Sequence, residues 1–182
     1  MRTQRGKYTM NLVAKTSFND SEFWLVTLIF LLTIHLATAE SLGRLNFNYN
    51  VFSTKLTHFL SIIGSSFVAF YTPLYYFLKR KYRRLTKNLL KLHIFGNSIS
   101  CMFVSIHVVA RLIRLPLGLG VLSYFFLLIL VLSGYTFRFG VLKPLKIFVK
   151  DMPHNNRYLH VSLTASFYIV YLFHLLQVTD FQ

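Results

Sequence analysis

At 182 residues the chain has the length of one domain, yet 54% of it is hydrophobic and only 14% is charged, against roughly 25% charged in a soluble globular chain. Its 20 Lys and Arg stand against 5 Asp and Glu, a formal net charge of +15. A globule needs both signs on its surface, and a nucleic-acid binder would not separate its basic residues by long apolar runs. A membrane protein with charged surface loops satisfies both conditions. One Cys excludes a disulfide framework, a multi-Cys zinc site and the CxxCH attachment of c-type haem.

About 20 apolar residues are needed to cross the hydrocarbon core. Five stretches qualify: 23–39, 57–78, 89–113, 117–137 and 158–178. Residues 1–20 read as a short cytoplasmic segment ahead of an uncleaved first helix, because the first apolar run starts late and lacks a signal-peptide layout. Pro73 falls near the end of the second span, where membrane helices tolerate it. Pro116, Gly118 and Gly120 mark the turn before the fourth span. The expected architecture is an all-α bundle of five transmembrane helices forming a single domain over 1–182.

The basic residues set the orientation. Arg2, Arg5, Lys7 and Lys15 precede the first span. Lys79, Arg80, Lys81, Arg83, Arg84, Lys87 and Lys91 follow the second, and Arg138, Lys143, Lys146, Lys150 and Arg157 follow the fourth. These segments share one side and hold sixteen of the 20 Lys and Arg, leaving Arg44, Lys55, Arg111 and Arg114 on the other. The positive-inside rule predicts a cytoplasmic N-terminus and an external C-terminus, and the plasma membrane is the expected location. Topology accounts for the basic loops, with anionic-lipid contact or partner docking as additional roles.

Six of the seven His lie within or at the mouths of these spans: His35, His58, His93, His107, His160 and His174. Ionisable residues inside a membrane are costly and are functional candidates by default. His93 and His107 are 14 residues apart on the third helix, and His160 and His174 repeat that interval on the fifth. On a helix this interval is about 21 Å of rise, with a turn of roughly 40° off the same face. The two helices are expected to run parallel, so His93 pairs with His160 near the cytoplasmic face and His107 with His174 near the external one. Two such pairs, one above the other, have the donor set of two six-coordinate haem irons, each between neutral imidazoles. Gly96, Asn97, Ser100 and Val104 lie on the stripe between the third-helix pair, and Leu163, Thr164, Phe167 and Tyr171 between the fifth-helix pair. Small residues there, with Gly64 and Gly134, can admit a flat macrocycle or serve ordinary helix packing. Lys91, Arg111, Arg114 and Arg157 are candidates for haem propionates or interfacial anchors. His35 and His58 read as interfacial or hydrogen-bonded, His154 as a loop residue, and Cys101 as a small buried side chain.

The segments LHIFGNSISCMFVSIH and LHVSLTASFYIVYLFH resemble the paired H-x13-H helices of the ferric reductase and NADPH oxidase membrane domain. Leu92, His93 and Gly96 also match that family's LHxxG pattern. The resemblance covers roughly 57–178 and implies a helical bundle with two stacked b haems, ligated from the third and fifth helices by His93, His107, His160 and His174. Quinol-oxidising cytochrome b uses a similar four-ligand scheme from its second and fourth helices, so the position of the ligand helices favours the reductase-like domain. Family members often have six helices and a C-terminal flavin and nicotinamide domain. Here five spans are counted, and no GxGxxG or other phosphate cradle is present.

The expectation is transmembrane electron transfer through two haem b groups, in an oxidoreductase membrane subunit without its own nucleotide-binding domain. Expected partners are membrane lipid, other redox subunits or an external electron acceptor, and quinone, with no nucleic acid. The alternatives are a quinone-linked cytochrome b subunit and a haem-free transporter using the histidines for a metal or ion.

Overall fold

The computed structural model describes residues 20–47, 49–51, 54–112, 118–141 and 152–179. Five helices carry the fold: α1 (Asp20–Ser41), α2 (Leu56–Lys81), α3 (Thr86–Leu112), α4 (Leu119–Phe139) and α5 (Met152–Thr179). All five are long and apolar enough to span a membrane, and the chain is an integral membrane protein. Lipid leaves only helices or closed barrels with their backbone groups satisfied, and these sequences take the helical solution.

The helices overrun the apolar stretches at several ends. α2 continues through Lys79, Arg80 and Lys81, and α5 begins at Met152, so His154 lies in its first turn rather than in a loop. Long basic side chains reach headgroup depth from a helix that is still forming backbone bonds. The chain leaves α1 and α4 through Gly43 and Gly140, at φ of 67° and 60°, a left-handed conformation that costs glycine least. Between α1 and α2 lies a two-stranded antiparallel ribbon: β1 (Asn50–Val51) pairs with β2 (Thr54–Lys55), Asn50 opposite Lys55.

Cross-helix contacts give the helix directions. Gly64 meets the Ser100 carbonyl, and the Tyr71 hydroxyl donates to the Leu89 carbonyl at 3.0 Å, so α2 and α3 are antiparallel. Ser105 Oγ lies 3.1 Å from the Tyr124 hydroxyl, while Lys91 and Arg138 meet on the same Glu22 carboxylate, so α4 is antiparallel to α3. The rings of His160 and His174 rest on Gly134 and Gly120, which sets α5 antiparallel to α4. The third and fifth helices are therefore parallel. α2, α3, α4 and α5 form a four-sided bundle in which α3 packs on α2 and α4, and α4 on α5. The fourth side closes where the Tyr168 hydroxyl of α5 reaches α2. α1 lies outside this square, against α3 and α4.

The core sits at mid-depth. Val68, Cys101, Val104, Val108, Leu127, Val131 and Phe167 form one buried cluster drawn from all four sides. Phe167 is seven residues from both His160 and His174, so this apolar plug separates two histidine levels. The end of the bundle that holds the N-termini of α1, α3 and α5 is called the basic end below, and the opposite end the far end.

Candidate functional site

The site is written in one interval on three helices. His93 and His107 on α3, and His160 and His174 on α5, recur at 14 residues, and so do Gly120 and Gly134 on α4. The glycines face the α5 histidines. A Cβ built on Gly134 would lie 3.3 Å from His160 Cε1, and one on Gly120 would lie 2.9 Å from His174 Cε1. Each imidazole thus occupies a notch that a side chain on α4 would fill.

At the basic end, His93 and His160 lie within electrostatic range of each other, and Lys79 is within range of both. Ser133 Oγ is 2.9 Å from His160 Nδ1. A hydrogen bond at one ring nitrogen fixes the tautomer and presents the other, here Nε2, to a metal. His93 stacks on Tyr75 of α2, with ring centroids 4.5 Å apart and planes 12° from parallel. The Asn97 amide nitrogen, one turn along α3, lies 3.3 Å from His93 Nδ1. Asn97 is itself buried, and its Oδ1 has no hydrogen-bond partner among the described residues. Phe67, Tyr71 and Tyr75 follow one face of α2 at four-residue steps and stack in sequence, with 4.9 Å and 6.5 Å between centroids. The Phe67 ring fills the space beside Gly96, where a Cβ would collide with it. The small stripe residue expected to leave room at Gly96 is covered by an aromatic side chain from α2.

At the far end the imidazoles take different neighbours. His174 rests on Gly120. His107 lies beside His58 of α2, with ring centroids 5.3 Å apart and planes tilted by 49°. His58 therefore belongs to the far-end level, whereas His35 is an exposed residue of α1. Among the described residues no group of three or more His, Cys, Asp or Glu converges on one point. The imidazoles described near one another are His93 with His160 at the basic end and His107 with His58 at the far end.

One charged group lies next to the basic-end level. Glu22 of α1, largely buried, accepts from Lys91 of α3 at 2.7 Å and from Arg138 of α4 at 3.0 Å. Lys91, a candidate for a propionate, is committed to this carboxylate. Arg114 lies outside the described residues, and Arg111 and Arg157 are placed only as helix positions. Lys143, Lys146, Lys150 and the residues before Asp20 lie outside the described residues as well.

Sequence reasoning missed Gly120, Ser133, Tyr75 and Glu22. A signal existed only for Gly120, which was assigned to a turn although it repeats the 14-residue interval with Gly134. No family model, characterised protein or solved structure matches the chain.

Proposed function

We propose that this chain conducts electrons across a membrane through two b haems, each held between two imidazoles, His93 with His160 and His107 with His174. The observation that carries the reading is the shared 14-residue interval, in which the α5 imidazoles sit in glycine notches of α4 at two levels of a bundle whose α3 and α5 run parallel. Bound haem would supply one-electron carriers at two depths, so that a crossing of a low-dielectric layer is divided into shorter transfers. The protein's own residues do the remainder. Ser133 orients His160, Tyr75 and Asn97 hold the plane of His93, and the mid-depth plug around Phe167 keeps the two levels apart and dry.

The reading extends to a reductase-like membrane subunit with its basic end on the cytoplasmic side of the plasma membrane and its far end outside. That orientation follows the Lys and Arg bias, which directs positive loops inward. In this reading electrons enter and leave through another protein, a quinone or a small external acceptor. The test is a redox-resolved absorption spectrum with a pyridine haemochrome assay on purified protein. The expected result is two non-covalent, low-spin haems per chain. Fewer than about one haem per chain in a haem-supplemented preparation overturns the paired-site reading. Reduction by added quinol would favour a quinone-linked subunit, and no Soret band at all a haem-free carrier.

A further inference from the structure

We infer that Lys79 and Arg138 form a two-cation cradle that takes the two carboxylates of a haem bound at the His93 and His160 level, an inference that rests on the haem reading above. Each cation sits one helical turn beyond a residue that holds one of those imidazoles. Lys79 follows Tyr75, on which His93 stacks, by four residues, and Arg138 follows Gly134, on which His160 rests, by four. A four-residue step keeps the same helix face and moves about 6 Å along the axis. Both cations therefore lie above the same level, on its membrane-surface side, from helices on opposite sides of the bundle.

Their local settings support the assignment. Lys79 Nζ lies 4.8 Å from the Tyr75 ring centroid and 4.0 Å from that of Tyr76, so its stem is laid along the site wall. Lys79 is within electrostatic range of both His93 and His160, and Arg138 is within range of Tyr75. Glu22 holds Arg138 through Nη2 at 3.0 Å, while Arg138 Nε is buried with no hydrogen-bond partner among the described residues. The guanidinium is thus fixed at one edge and retains a donor that burial leaves unsatisfied. Lys91, the obvious rival from its proximity to His93, precedes that residue by two positions. This is about 200° around the helix, and Lys91 is bound to Glu22 at 2.7 Å. Glu22 binds Lys91 and Arg138, and Lys79 adds a further positive charge beside the same level.

The test compares uptake of haem b with uptake of its dimethyl ester, which keeps the ring and iron but removes both negative charges. Apo-protein is titrated with each, and uptake is read at the site that His160→Ala abolishes. Lys79→Gln is expected to weaken haem b uptake about three- to tenfold, the range of a partly exposed charge-assisted contact, and to leave ester uptake unchanged. Lys79→Arg should restore haem b uptake. Arg138→Gln, made together with Glu22→Gln so that no buried carboxylate is stranded, should show the same selectivity for the charged haem. Equal losses for haem b and the ester, or no loss for either, overturn the cradle. So does an effect that follows the anionic-lipid content of the vesicles instead of the ester, since the cations would then serve lipid phosphate. If wild-type protein binds neither porphyrin, the haem reading itself fails, a result distinct from wild-type binding without charge selectivity.

Discussion

His160 is held from two directions: Ser133 Oγ lies 2.9 Å from Nδ1, and the Gly134 backbone lies against Cε1. Substitutions at this residue scale should therefore separate the two levels. On the two-haem proposal, His93→Ala or His160→Ala should remove the basic-end haem, and His107→Ala or His174→Ala the far-end one, as read by haem content and by a redox titration of each variant. A common loss from His93→Ala and His174→Ala would show the pairing to be wrong. Gly134 offers a graded probe. A Cβ there stands 3.3 Å from the imidazole, so Gly134→Ala should be absorbed by a shift of a few tenths of an ångström. Gly134→Leu should displace the ring, with a stability cost of about 1–3 kcal/mol from overpacking and loss of the basic-end haem.

Between elements, the decisive contacts are polar ones in an apolar setting. Pro73 inside α2 cannot donate to the carbonyl of Ala69, four residues back. The Tyr168 hydroxyl of α5 supplies the missing donor, 3.1 Å from that oxygen and 3.0 Å from the Val68 carbonyl. The proline thus creates the acceptor that closes the bundle between α2 and α5. Tyr168→Phe should destabilise the protein by about 1–2 kcal/mol. In a Pro73→Ala background the same change should cost less, because the helix can then satisfy Ala69 itself. A double-mutant cycle of thermal unfolding in detergent measures this coupling, and strictly additive effects would refute it. The Glu22 node behaves differently. Glu22→Ala strands two cations at the meeting of α1, α3 and α4 and should cost about 1–3 kcal/mol, less than a fully buried pair because Lys91 is about a third exposed. Glu22→Ala combined with Lys91→Met should recover part of that loss in the same melting assay.

For the whole molecule, the five spans and the distribution of basic residues predict a sidedness open to direct measurement. Cys101 is 1% exposed at mid-bundle, so the native thiol should stay silent to membrane-impermeant reagents. Tyr82→Cys, at the basic end between α2 and α3, should label only from the cytoplasmic side of sealed cells or vesicles. Gly118→Cys, at the far end before α4, should label only from outside. The reverse pattern would invert the topology and with it the side proposed for each haem. In vesicles of the purified chain, nicotinamide nucleotide on the cytoplasmic side should leave the haems oxidised until a reductase partner or mediator is added. Rapid reduction without either would reveal a donor site within the chain.

Much of this was legible in one dimension because lipid makes it so. A bilayer demands about 20 apolar residues per crossing and penalises charge in its core, so spans, the bias of Lys and Arg, and six intramembrane histidines stand out without any structure. The repeat of 14 residues is likewise a property of the helix, and it placed His93, His107, His160 and His174 at two depths. Which surfaces meet is not written in helical periodicity, because the lipid-facing and core-facing sides of these helices are both apolar. Only the tertiary arrangement decided that Gly120 belongs to the site and not to a turn, and that Phe67 covers Gly96. It likewise joined His58 to His107, and Lys91 to a glutamate on a helix 69 positions earlier in the chain. Those pairings depend on close approach between helices distant in sequence, where packing and the satisfaction of a few buried polar groups select one arrangement among many of equal hydrophobicity.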